Sequence, residues 1–427
     1  MENIKSPHVL LISSASLVEG PGAIAMNIYN NLCEQGCDVD VLTLYQEPTL
    51  PDVKYIYKKA SRFNDILFRF CRKFWGYPKK GYCFFYRKEN FPPVSPNRVL
   101  RQVKGSYDAV VIYFWQNLLS FKTVDKLYDK LKCKFVFVCA DYSPMSGGCH
   151  FTNACPRFMT GCGCCPAFDS TNPNDFTHWN IMYRKKVYEK IKPAIIANHY
   201  MVEMFFKKSY LLKDCTFFLS KNAVDHKVFK PLERNSLYGK LEINQEKDFI
   251  IAFGCQSLVD ERKGMSYLLD TLDLVYQQLN AEERNKTLLL FIGKEGEKII
   301  PRLKFDYKNL GFIPVSELPA FYSVSTLFIS SSVNDAGPSM VTQSLACGTP
   351  VVSFKMGSAL SLVLGQGTGY CAELRNSEDL AKGVLDILRM DKVTYSKLRL
   401  HCREFSEKNC SREASGKLFL SAIIDKK

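Results

Sequence analysis

"VNDAGPSMVTQSLACGTPVVSF" runs from Val333 to Phe354, directly behind the apolar run "TLFISSS". Its second half reads as a helix stopped by Gly348, a turn at Thr349–Pro350 and a buried strand. Pro338 suits a first helical position, so a helix is expected from there. The unpaired N–H groups of such a helix start hold phosphate well. Gly337 removes a side chain where a ligand could come close. Asp335 stands at the mouth, and Gln343 lies one to two turns inside the helix. A plain strand–turn–helix would look the same. Ligand binding at the carboxyl ends of strands in open α/β sheets favours a site.

The same alternation extends in both directions. "HVLLISSAS", the turn "EGPGA", the helix-like "IAMNIYNNLCEQGCD" with Ile24, Ile28 and Leu32 on one face, and "VDVLTL" make a β–turn–α–β opening. "YDAVVIYF", "KFVFVCAD" and "AIIANHY" continue it as buried-type strands. The pattern restarts after "NAVDHKVFKPL" with the strand "FIIAFGC" and the helix "GMSYLLDTLDLVYQQL". "TLLLFIG" and "NLGFI" read as strands, "ELPAFYSVS" as a short helix and "TLFISSS" as a strand. Two doubly wound α/β domains are expected: residues 1–230 and 231–400. Residues 401–427 read as a C-terminal helix packing back toward the first domain.

The chain has 427 residues, 46% of them hydrophobic and 23% charged, as in ordinary globular proteins. No run of eighteen apolar residues occurs, so no membrane-spanning helix is expected. The first residues read as a strand rather than an export signal. That leaves the cytosol as the expected compartment, where the 17 cysteines stay reduced. The formal charge is +14, and the segment Lys54–Lys104 holds fourteen bases against Asp65 and Glu89.

Four further stretches carry chemistry. In "VDERKGMSYLL", Arg262 and Lys263 stand at a helix start, against the helix dipole unless an anion sits there. Either a solvated basic pair or a diphosphate clamp would fit. The Gly-rich turn around Gly22 lacks a full dinucleotide fingerprint. In "SGGCHFTNACPRFMTGCGCCP", Cys149, Cys155, Cys162 and Cys165 could close a tetrahedral structural zinc site, with Cys164 and His150 as spares. Reduced, buried cysteines are the plainer reading. In "RFNDILFRFCRKFWGYPKKGYCFFYRK", bases interleave with aromatics, as suits an anionic membrane surface. Nucleic acid is the weaker reading there, and no nucleic-acid partner is expected.

Taken in order, "GPGAIAMNIYNNLCEQGCDVDVLT", "NAVDHKVFKPL", "RKGMSYLLDTL", "LGFIPVSELPAFYSVSTLFISSS" and "DAGPSMVTQSLACGTPVVSF" resemble family 4 glycosyltransferases over nearly the whole chain. The Cys-rich stretch is similar to a bacterial subgroup of colanic-acid, capsular and lipopolysaccharide synthesis. The resemblance implies the GT-B fold, two Rossmann-like domains facing a cleft. It implies retaining, metal-independent hexosyl transfer from a UDP- or GDP-sugar, with no cofactor for catalysis. By the same resemblance Lys263 holds the donor diphosphate, and Gly337, Pro338 and Ser339 form the turn approaching phosphate or sugar. Asp335 and Gln343 fall on two glutamates that contact the donor sugar and the ribose. Phe312 and Ile313 fall beside the nucleobase, and Gly22 on the turn facing the phosphates. Asp335, Lys263 and Arg262 are the catalytic candidates, Asp141 and His150 the acceptor-side ones.

Two positions depart from that pattern. Ser257 stands where the family has an arginine, and Ala140 where the subgroup has a histidine. The expected partners are a nucleotide sugar, a lipid-linked glycan acceptor and the inner face of the cytoplasmic membrane. A non-catalytic GT-B scaffold within a glycan-synthesis complex, and a GT-B epimerase or phosphorylase, are the alternative readings.

Overall fold

A computed structural model describes residues 6–15, 17, 21–47, 53–59, 78–79, 82–84, 89, 94–335 and 337–425. Among them, β1 (His8–Ser13), β2 (Asp38–Tyr45), β3 (Lys54–Tyr57), β4 (Ala109–Tyr113), β5 (Lys134–Val138), β6 (Ala194–Ala197) and β7 (Thr216–Leu219) form one sheet. Its order is β3-β2-β1-β4-β5-β6-β7. A second sheet contains β8 (Phe249–Ser257), β9 (Thr287–Lys294), β10 (Asp306–Asn309), β11 (Leu327–Ser330), β12 (Val351–Phe354) and β13 (Gly369–Ala372). Its order is β10-β9-β8-β11-β12-β13. Neighbouring strands pair in parallel, for example Leu11 with Val111 and Phe253 with Ile329. Helices connect the strands, so both sheets are doubly wound α/β, as expected.

Central strands read clearly because both of their faces are covered. Every residue of β4, "AVVIY", is buried, and such strands carry continuous apolar runs. Edge strands do not read this way. The third strand of the second sheet is Asp306–Asn309, "DYKN", not "NLGFI". Its pairing with the apolar β9 holds it, and its own residues are polar and largely exposed. "NLGFI" instead makes a loop in which Phe312 is 66% exposed.

The chain divides into two compact units. One comprises Met1–Ala197, Met201–Ser220 and Ser415–Lys427; the other comprises Asn198–Tyr200 and Lys221–Ala414. The C-terminal segment is two helices, Lys392–Asn409 and Arg412–Ile424. The first stays with the second unit, where Cys402 is buried and Arg403 Nη1 donates to the carbonyls of Phe229 and Ala346, both at 2.7 Å. In the first unit, Phe419, Ala422 and Ile423 from the last helix complete a core with Val9, Leu11, Ile28 and Leu32. Ile24, expected on that inner face, is 43% exposed. Among the described residues no helix is long and apolar enough to cross a membrane.

Candidate active site

In the second sheet the strand order turns back between β8 and β11, and such switch points open a crevice at the strands' carboxyl ends. Two loops meet there. One follows β8 and carries Arg262, Lys263 and Gly264 into the helix Met265–Gln278. The other follows β11 and carries Asp335 and Gly337 into the helix Ser339–Ala346. Main-chain bonds join them: the N–H groups of Val333 and Asn334 donate to Arg262 O at 2.8 and 3.2 Å. Ser331 Oγ donates to Lys263 O at 2.9 Å. Gly264 has φ +65°, and a Cβ there would stand 2.1 Å from Ser331 O, so only glycine fits the junction.

This joint brings Lys263 Nζ to 2.5 Å from Asp335 Oδ2. The other carboxylate oxygen, Oδ1, accepts the Gly337 N–H at 2.9 Å. Asp335 thus fastens both the lysine and the turn that starts the next helix. Gly337 is itself enclosed: a Cβ would lie 2.9 Å from the amide nitrogens of both Asn198 and Asn222. Asn222 Nδ2 donates to Gly337 O at 3.3 Å. Neither asparagine stood out in the sequence. The only local signal is "AIIANHY", where Asn198 directly follows an apolar run; Asn222 in "FFLSKNAV" follows Ser220 and Lys221.

Pro338 is the N-cap, one place before its expected position, and Ser339 opens the helix, exposed. No side chain caps that end, and Val341 N–H donates to Pro338 O at 3.2 Å; uncapped helix starts of this kind favour anions. Gln343 is half-buried, and its Oε1 accepts the Tyr322 hydroxyl at 3.0 Å. Its NH2 group keeps two donors. Downstream, the quoted stretch ends as read: Gly348 has φ +71°, Thr349 N–H donates to Ser344 O at 3.0 Å, and β12 follows.

Other donor-side candidates are arranged differently. Arg262 is turned onto Asp260, with Nη2 and Nε at 2.6 and 3.2 Å from its two oxygens. Ser257 Oγ donates to Glu295 Oε2 at 2.6 Å, so this position ties the end of β8 to the turn after β9. Phe312 presents an open ring with Lys294 Nζ 5.5 Å from its centre, while Ile313 packs on the core.

In the first unit, Gly22 lies in the helix Pro21–Glu34. Asp141 and His150 form a buried pair, Nδ1 to Oδ2 at 2.7 Å. Asp141 also accepts the Ser143 N–H at 2.7 Å and Gln116 Nε2 at 3.4 Å. Burial pushes this carboxyl up, but His150 and Ser143 together outweigh it, and it sits below its ordinary range. Ala140, one residue before, is exposed.

Cys149, Cys155, Cys162 and Cys165 line one cavity of about 30 Å³. Burial pushes the Cys149 thiol up to about 12 and Cys165 to about 11, and raises Cys162 as well. Among the described residues no group of three or more His, Cys, Asp or Glu side chains is placed to hold a metal ion. The two spares are otherwise engaged, Cys164 Sγ with Thr171 O at 3.3 Å and His150 with Asp141. Of the proposed membrane-facing bases, Arg69, Arg72, Lys73 and Lys80 lie outside the described residues. Lys79 pairs with Asp169.

Residues 236–409, which carry Lys263, Asp335, Gly337 and Gln343, match the family model described as glycosyl transferases group 1. The matched stretch lies within the second unit. It takes in nearly all of the second unit. No curated protein matches the chain. Solved structures similar over the full length include sucrose-phosphate synthase from Thermosynechococcus elongatus, with TM-score 0.67, 16% identity and 97% and 98% of the two chains covered. A glycosyltransferase from Rickettsia africae gives TM-score 0.64 at 14% identity, covering 99% and 100%. Anabaena HepE in complex with UDP and glucose gives 0.63 at 12%, covering 98% and 99%. The fold of the chain is that of these proteins, GT-B.

Proposed function

We propose that this protein is a retaining glycosyltransferase that moves a hexosyl group from a UDP- or GDP-sugar to a lipid-linked glycan. Surface polysaccharide assembly at the inner face of the cytoplasmic membrane is the proposed setting. The observation that carries the reading is the Lys263–Asp335 pair at the switch point of the group 1 domain. HepE, similar in fold, is described with UDP and glucose, which supports a nucleotide-sugar donor.

Glycosyl transfer from a nucleotide sugar breaks the bond between the anomeric carbon and the diphosphate oxygen. Charge develops on that diphosphate, and its support is the main electrostatic task. An ammonium has three N–H donors. Lys263 can keep one on Asp335 and offer the others to the leaving group. First-turn N–H groups of the helix Ser339–Ala346 add to that support, so Lys263 and the helix start fill the role without a catalytic metal. Arg262 joins only by leaving Asp260. Gln343 offers its NH2 group to a ribose hydroxyl, and the Phe312 ring offers a face to the base. Asp335 is chiefly a positioning residue, because both its oxygens are engaged within the loop.

In a retaining front-face path the acceptor hydroxyl gives its proton to the departing phosphate, which needs no separate protein base. Asp141 and His150 are the candidates for acceptor recognition in the first unit. The basic-aromatic composition of Lys54–Lys104 supports the membrane setting. The test is transfer of radiolabelled sugar from a panel of UDP- and GDP-sugars to membrane extracts. Labelled lipid product is expected. Nucleotide-sugar binding without transfer or donor hydrolysis would favour a scaffold role, which the Arg262–Asp260 pairing and Ser257 would then explain.

A further inference from the structure

The loop Ser146–Thr177 folds with little core of its own. Among its described residues only short 3-10 turns occur, at Arg157–Met159 and Pro166–Phe168, before the helix Phe176–Ile191 begins. Phe158 and Ala167 are its buried apolar residues. Its backbone is nevertheless packed hard. A Cβ at Gly163 would lie 2.0 Å from Pro173 O, and one at Gly147 would lie 2.4 Å from Thr177 O. Asn153, Ala154, Cys162 and Cys164 all have positive φ, between 43° and 66°. Non-glycine residues in that region persist where the surroundings over-determine them. The loop's other buried side chains are polar, Ser146, His150, Thr152 and Thr177, and Phe168 packs edge-on against Phe84 and Phe176.

The four thiols converge from separate turns of this loop on one cavity of about 30 Å³. The cavity is narrow, and Ser146, Gly147, Gly148 and Thr177 line it beside the cysteines. Main-chain bonds fix the backbone at one of these cysteines: Phe168 N–H donates to Cys165 O at 3.1 Å, and Cys165 N–H donates to Asp175 Oδ2 at 2.8 Å. Ser146 Oγ donates to Cys149 O at 2.7 Å. The C-x2-C pair of Cys162 and Cys165 supplies a knuckle, with Gly163 at φ +86° between them.

We propose that Cys149, Cys155, Cys162 and Cys165 bind one zinc ion in a closed, structural, four-thiolate site. Binding displaces the four thiol protons to solvent, and each sulfur gives a lone pair to the metal. The thiols line the cavity, but as placed no three of them are positioned to hold a metal ion. The proposal therefore requires them to turn inward about their Cα–Cβ bonds until the sulfurs stand about 2.3 Å from the ion. Cys164 and His150 stay on their present partners. The site staples the loop, in the way metal staples other segments too small to bury a core.

The test uses the full chain, purified reduced and without chelator. Elemental analysis should find about one zinc per chain. A Cys162→Ser/Cys165→Ser double variant should lose it, while Cys164→Ser keeps it. Cobalt(II) alone, added to metal-stripped wild type, should give sulfur-to-cobalt charge-transfer bands and tetrahedral d–d bands. This reading stands even if the double variant fails to fold. Wild type that carries no zinc and gives no cobalt spectrum overturns the proposal, as does a double variant that retains full zinc.

Discussion

Lys263 Nζ lies 2.5 Å from Asp335 Oδ2, while Oδ1 of the same carboxylate holds the Gly337 N–H at 2.9 Å. One short side chain thereby ties the cation after β8 to the helix start after β11. A glutamate would reach further. An aspartate keeps both loops close and spends its oxygens on them.

Removing the cation should cost the chemical step most. Lys263→Ala is expected to lower kcat for transfer or donor hydrolysis about 10²–10³-fold, or about 2.7–4 kcal/mol of transition-state support. Fold and thermal midpoint should hardly change, because the ammonium is partly exposed. Steady-state kinetics and a thermal scan on the same preparations check both.

Asp335 should behave as a fastener. Asp335→Asn keeps an oxygen for the Gly337 N–H but not the charge facing Lys263, so about a tenfold loss in kcat/KM is expected. Asp335→Ala removes both contacts and should fall further. Equal losses in the two variants would place the whole effect on the charge.

Gly337→Ala should damage donor binding more than folding. The new methyl would meet the amides of Asn198 and Asn222 at 2.9 Å. Overpacking of that kind costs about 1–3 kcal/mol. Nucleotide titration calorimetry should show affinity weakened by about tenfold or more, with truncation of Asn222 to Ala partly restoring it.

The buried Glu89–Arg184 pair should be a stability determinant of the first unit. Arg184 Nη2 lies 2.7 Å from Glu89, and Nη1 donates to Ser143 O at 2.6 Å and also to Ser146 O. Arg184→Met leaves a buried carboxylate and frees those carbonyls, an expected loss of about 3–5 kcal/mol. Chemical denaturation checks it.

The second unit should lose stability in mild acid. Burial, and then the charge of Arg403, hold His226 below its ordinary 6.5. Ser406 Oγ lies 3.0 Å from its Nε2, and Asp225 and Glu407 partly oppose the shift. The folded state therefore favours the neutral ring. Its contribution is full above the unfolded value and is lost as pH falls through the folded one. Denaturation midpoints should drop between pH 7.5 and 5.5, and His226→Asn should flatten that slope.

Central strands such as β4 and the turn at Gly348 were legible, because burial on both faces and a positive φ leave direct marks on composition. β10 was not, since "DYKN" is held by its neighbour β9 rather than by its own pattern. At the site, Lys263, Asp335 and Gly337 were readable as a helix-start arrangement. The role of Asp335 as a fastener was not, because it depends on which loop β11 is laid beside. Asn198, Asn222 and Tyr322 act through long-range contacts that no spacing encodes. The C-terminal segment was read as a single helix because both of its parts are periodic, and only the three-dimensional packing separates them around Cys410.

The most direct measurement is calorimetric titration of wild type and Lys263→Ala with UDP- and GDP-sugars, followed by product analysis of the same samples. Wild type should bind one nucleotide class and release free nucleotide with transferred or hydrolysed sugar, while Lys263→Ala should release it about 10²–10³-fold more slowly. Wild type that neither binds nor cleaves any of these donors, or a Lys263→Ala variant as active as wild type, would contradict the account.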